Sequence, residues 1–103
     1  MMEGKRLAQL LKQNKAPQVI DVRSGFEYRS GHIPGAIHLP LFKLLFRLVR
    51  PPVDVSAEYV IVCEHGPRAQ MVQGFLARKG FTNLQLLSGH MSAWRSRGYP
   101  LEQ

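Results

Sequence analysis

The chain has one cysteine, Cys63, and that shortage excludes a good deal. An intramolecular disulfide is impossible, so a small secreted domain stapled by cross-links is ruled out. No second thiol is present to resolve an adduct formed on Cys63, so any such adduct must be discharged by an outside acceptor. Also missing is an apolar span long enough to cross a membrane, and Met1-Met2-Glu3-Gly4-Lys5-Arg6-Leu7 lacks the apolar core of an export signal. Stable membrane insertion is not expected, and a cytoplasmic location is, unless the chain is a domain cut from something larger. Basic runs are short. Fourteen Lys and Arg give a net charge of +7, yet they are scattered from Lys5 to Arg97 with no run longer than two. Nucleic acid recognition needs a clustered patch, so the expected partner is a small anion instead. His32, His38, His65 and His90 offer no pair at the i, i+4 spacing of a helical metal site. No metal and no cofactor is implied. With 103 residues, 45% of them hydrophobic and 20% charged, residues 1–103 are expected to form one ordinary globular domain.

What is present centres on Tyr59-Val60-Ile61-Val62-Cys63-Glu64-His65-Gly66-Pro67-Arg68-Ala69. The unbroken apolar run to Val62 reads as a strand buried on both faces. Gly66 loosens the following loop, and Pro67 suits the first position of a helix. That helix carries Ala69, Val72, Phe75 and Leu76 on one face, with Arg78 and Lys79 in its last turn and Gly80 to close it. Cys63 is thus expected at the carboxyl end of a central strand, where open α/β sheets bind ligands. A helix N-terminus and a nearby cation such as Arg68 would lower the pKa of a thiol placed there. The same N–H groups would hold an anion. The competing reading makes Cys63 a small buried hydrophobe at a strand end.

Elsewhere strand alternates with helix, which argues a parallel sheet covered on both faces. Leu7, Ala8, Leu10 and Leu11 mark a short amphipathic first helix, broken across Asn14 to Pro17. Gln18 to Val22 reads as a buried strand. Ser24-Gly25-Phe26-Glu27 has capping-box spacing and predicts a helix from Gly25 to Ser30. Ala36 to Leu39 is a short strand. Leu41 to Arg50 reads as a core-covering helix with Lys43, Arg47 and Arg50 on one wet stripe, ended by Pro51-Pro52. Its composition also suits a membrane interface, though a core-covering role is the commoner one for so short a helix. Asn83 to Leu87 is the last strand, and Met91 to Arg97 a helix with Ala93 and Trp94 turned inward, closed by Gly98. Asp21 and Arg23 fall at the same sheet edge as Cys63, where a pair serves geometry more often than chemistry.

Asp21-Val22-Arg23, Glu27-Tyr28, Gly31-His32-Ile33-Pro34-Gly35-Ala36-Ile37-His38, the Cys63 loop, and Leu87-Ser88-Gly89-His90-Met91-Ser92-Ala93-Trp94 with Gly98-Tyr99-Pro100 together resemble single-domain rhodaneses. The resemblance spans roughly residues 18–100. It implies a three-layer α/β/α fold around a parallel sheet, and transfer of a sulfane sulfur from thiosulfate or a related donor through a Cys63 persulfide. It also implies that the loop of Glu64, His65, Gly66, Pro67, Arg68 and Ala69 wraps the sulfur, supported by Asp21 and Arg23. The acceptor would be cyanide or a thiol, with a protein sulfur acceptor as a further candidate.

Three features depart from the family pattern. The usual edge strand before the first helix is missing, so four strands, or a very short fifth, are expected. Gly89-His90 replaces a pair of glycines, which either brings an imidazole to the site or crowds a turn. Glu64 would set a carboxylate beside the thiolate, opposing a dianionic donor. Arg68 either draws in the donor's anionic end or fixes the loop. Phosphatases that share this fold carry five residues between Cys and Arg. Here there are four, a cradle sized for one sulfur atom. A non-catalytic binding or sulfur-relay module is the other alternative. Finally, the transfer reading expects the sulfur to be within solvent's reach, since a thiol packed out of reach would take the activity with it.

Overall fold

Four short strands, β1 (Gln18–Asp21), β2 (Ile37–His38), β3 (Tyr59–Val62) and β4 (Leu84–Leu86), form one parallel sheet in the order β2-β1-β3-β4. They come from a computed structural model that describes residues 1–103. Parallel neighbours need crossovers, and the chain supplies helices α1 (Gly4–Lys12), α2 (Gly25–Ser30), α3 (Leu41–Leu45), α4 (Pro67–Arg78) and α5 (His90–Ser96). The register sets Ile20 beside Ile61 and Asp21 beside Val62.

Strand side chains alternate between two cores. Ile20, Ile61 and Leu86 pack with Leu41 and Leu44 of α3 and Ala69, Val72 and Leu76 of α4. Val19, Val60 and Val62 pack on the other face with Leu7 of α1 and Met91 and Trp94 of α5. The result is a three-layer α/β/α arrangement, with β1 and β3 apolar on both faces. Each fully buried Val, Leu or Ile there is worth about 1.5–3 kcal/mol. The fifth strand is reduced to Met2, which bridges Leu87 in parallel at the free edge of β4.

The stretch from Leu41 departs from expectation. Its helix stops at Leu45 instead of running to Arg50. Arg47 turns left-handed at φ +60°, its N–H bonds the Leu44 carbonyl at 3.2 Å, and the Leu48 N–H reaches back to Lys43 at 2.8 Å. That is a Schellman ending, made without the usual glycine. The expected stripe of Lys43, Arg47 and Arg50 therefore does not form. Leu41 and Leu44 cover the core, while Phe42, Phe46 and Leu48 stand in solvent. The Gly25–Ser30 helix and its capping box, between Ser24 and Glu27, are present as read.

Candidate active site

β3 ends at Val62, and the chain turns at once through Cys63 into the loop that starts α4. Gly66 makes this possible. Its φ of +128° is open to glycine alone, and it caps α4 with Pro67 at the first helical position. The turn folds main-chain N–H groups around the sulfur. Gly66 N–H donates to Cys63 Sγ at 3.0 Å and Ala69 N–H at 3.4 Å. The N–H groups of Glu64, His65 and Arg68 have no hydrogen-bond partner in the protein. Two donors on the sulfur and three unpartnered beside it make a cradle for negative charge at the N-terminus of a twelve-residue helix.

The charged side chains of the loop are all engaged. Arg68 donates to both oxygens of Glu27, at 2.6 and 2.9 Å. That fork is the main reason the Glu27 carboxyl is lowered from 4.5 to about 2, helped by its capping bonds to Ser24. Arg68 is raised in turn, first by the same bond. Of the two roles open to Arg68, the geometry matches fixing the loop. Glu64 is paired with Arg95 of α5 and lies 3.5 Å from Arg23 Nη1. The bare carboxylate expected beside the sulfur is thus neutralised. Asp21 and Arg23 are both buried and joined by a two-pronged bridge, Nε–Oδ1 3.0 Å and Nη2–Oδ2 2.8 Å. Arg23 also donates to the Gly31 carbonyl at 2.8 Å. It therefore ties β1, the end of α2 and Glu64 together.

The first turn of α5 grips the loop from below. Met91 N–H donates to the Cys63 carbonyl at 3.0 Å and Ser92 N–H to that of Glu64 at 3.2 Å. His90 is buried, and its Nδ1 accepts the Cys63 N–H at 3.2 Å. The imidazole therefore comes to the site. His65 is exposed. His32 and His38 lie elsewhere, both stacked on Tyr28.

One expectation is not met. Cys63 is only 1% exposed and belongs to the core cluster of Val22, Leu39 and Ala69. The loop closes over the sulfur because its walls are drawn in by the Glu27 and α5 anchors. A cavity of about 900 Å³ lies between α1, Val19 and Tyr99 and includes no residue of the Cys63 loop. Arg95 and the pairing of Glu27 with Arg68 were not visible as site features in the sequence. The partners are 31 and 41 residues apart, and nothing local marks them.

Fold and site together define an α/β protein with a cysteine ringed by main-chain N–H groups at the carboxyl edge of a parallel sheet. Residues 4–97 match the rhodanese-like domain family, and the chain belongs to that family. It is 33% identical over 89 residues to the thiosulfate sulfurtransferase GlpE of Pseudomonas paraeruginosa, covering 86% of this chain and 78% of the relative. Against the GlpE of Pseudomonas entomophila it is 33% identical over 105 residues, 99% of this chain and 94% of the relative. A rhodanese-like domain protein from Staphylococcus aureus superposes with a TM-score of 0.80 at 27% identity, covering 99% of this chain and 97% of that one. A rhodanese-related protein from Thermoplasma volcanium gives 0.79, also at 27% identity, with 98% and 95% covered. No helix of the chain is long and apolar enough to cross a membrane.

Proposed function

We propose that the protein is a sulfurtransferase that carries a sulfane sulfur on Cys63. The observation that carries this reading is the ring of N–H groups, with Gly66 and Ala69 on Sγ and Glu64, His65 and Arg68 unpartnered. Five such donors exceed what a lone thiolate needs and suit a persulfide, whose outer sulfur bears the charge. The Cys63 thiolate attacks the outer sulfur of thiosulfate or a similar donor. A new S–S bond forms, the donor's S–S bond breaks, and sulfite leaves with the electron pair. Cyanide or a thiol then attacks the outer sulfur of the persulfide and restores the thiolate. Two half-reactions on one nucleophile give ping-pong kinetics. A thiol that must stay reduced suits the cytoplasm.

Burial of Cys63 weighs against a sulfur standing ready in an open bowl. In this reading the segment from Glu64 to Pro67 parts to admit the donor and closes on the persulfide. Asp21 and Arg23 act as supports, and Glu64 and Arg68 anchor the two ends of the loop. Intact mass after thiosulfate treatment tests the proposal. Wild type gains one sulfur atom and Cys63→Ser gains none. No gain with thiosulfate or any other sulfane donor sinks it in favour of a non-catalytic module. Turnover of an aryl phosphate that Cys63→Ser abolishes points instead to a phosphatase.

A further inference from the structure

α5 starts with two left-handed residues in succession, Gly89 at φ +73° and His90 at φ +52°. The second is costly for a side chain with a Cβ, and such a conformation persists only where the surroundings hold it. What holds His90 is the loop. The ring is buried, with 4% of the residue exposed, and spans the two ends of the sulfur turn. Its Nδ1 accepts the Cys63 N–H, and its Nε2 lies 3.3 Å from where a Cβ on Gly66 would stand. The Cys63 amide thus bonds a titratable ring, and the ring lies close against Gly66, whose N–H reaches Sγ.

We propose that His90 is a positioning residue for the Cys63 cradle, holding the loop in its sulfur-binding form only while the imidazole is neutral. The proposal rests on the sulfurtransferase reading above. As an acceptor, Nδ1 carries no proton, so the neutral ring has its hydrogen on Nε2. Protonating Nδ1 turns two donors against each other, Nδ1–H and Cys63 N–H, at a position buried from solvent. The titratable groups of the loop over the ring are Cys63 and His65. Arg95 on the same helix is held by Glu64, which also faces Arg23. From the α1 side, Glu3 and Arg97 border a cavity over Gly89. Burial lowers the His90 pKa from 6.5, and His65 lowers it further. The clamp is therefore fully set at neutral pH and released only as pH falls below 6.5.

The test is the pH dependence of sulfur loading by thiosulfate in wild type, His90→Asn and His90→Gly. Asparagine tolerates the left-handed backbone and offers an acceptor where Nδ1 stood, but does not titrate. In wild type, the acid limb of log rate against pH is steeper than in His90→Asn by about 1, the extra proton being that of His90. His90→Asn lacks that added steepness. His90→Gly frees the loop and loads roughly tenfold to a hundredfold slower at pH 8, a loss that His90→Asn largely restores. Independently of loading, the Cys63 amide NMR resonance of wild type moves with the midpoint of the His90 ring. In His90→Asn it stays still over that range. Identical acid limbs in wild type and His90→Asn, or a Cys63 amide indifferent to ring titration, overturn the proposal. If no variant loads sulfur, the transfer reading fails and the amide titration alone decides the role of His90.

Discussion

Replacing Glu27 with glutamine cuts the anchor that fixes the helix end of the sulfur loop. A carboxyl lowered from 4.5 to about 2 corresponds, taken at face value, to about 3 kcal/mol of favourable interaction. Water reduces that figure. The Arg68 and Glu27 side chains are 33% and 30% exposed, and pairs in such positions contribute about 0.2–1 kcal/mol in double-mutant cycles. The forked geometry and the two bonds to Ser24 put this pair at the upper end, so Glu27→Gln should lose about 1 kcal/mol at pH 7. Because the folded pKa lies below the unfolded one, the unfolded chain binds more protons between the two values. The contribution is complete above pH 4.5 and drains away as pH falls towards 2. Urea titrations of wild type and variant at pH 7, 4 and 2.5 should therefore converge at the acid end, with midpoints shifting and slopes unchanged. Equal stability at pH 7, or a deficit undiminished at pH 2.5, refutes the reasoning. Persulfide yield adds a second readout, since a loop loosened at Arg68 closes less well on the loaded sulfur and should hold less persulfide even where the fold is fully populated.

Iodoacetamide should alkylate native Cys63 at least tenfold slower than the urea-unfolded chain, as expected where reaction needs local opening; equal rates would mean the loop does not shut over the sulfur. Gly66→Ala forces a side chain into φ +128° and sets its Cβ 3.3 Å from His90 Nε2. It should cost about 1–3 kcal/mol in urea unfolding, and an unchanged midpoint would show that the turn has another way to close. Arg47→Gly relieves a left-handed arginine at the end of α3 and should gain up to about 1 kcal/mol, strain relief of about 1–2 less the added freedom of the unfolded chain. A loss there would mean that the Arg47 side chain holds the segment in some other way.

The layers of the fold were legible because their signals are local. An unbroken apolar run such as Tyr59 to Val62 has few readings other than a strand covered on both sides. The Ser24 and Glu27 spacing set a helix start that the structure reproduces bond for bond. The Schellman ending of α3 was not legible, since an arginine in the left-handed region leaves no mark like that of glycine. The stripe of Lys43, Arg47 and Arg50 therefore breaks after Lys43, because Arg47 and Arg50 lie beyond the helix end. Met2 was too small a strand to show a pattern, yet the expectation of a very short fifth strand describes it.

At the site, the turn that brings N–H groups to Cys63 was readable from Gly66 and Pro67, where backbone geometry follows from residue type. The loop's charges were not. Taken singly, Glu64 opposes a dianionic donor, while Arg68 either attracts its anionic end or fixes the loop. In the folded chain Glu64 is answered by Arg95 and Arg23, and Arg68 by Glu27. These bridges couple the loop to α5, β1 and α2 across distances in sequence that no spacing rule covers. With both charges cancelled at the periphery, the groups that meet the sulfur directly are main-chain N–H. On the sulfurtransferase reading, that arrangement sets selectivity by how far the loop opens more than by the sign of its side chains. The same reading puts the control of opening in the anchors, Glu27 at one end and His90 at the other.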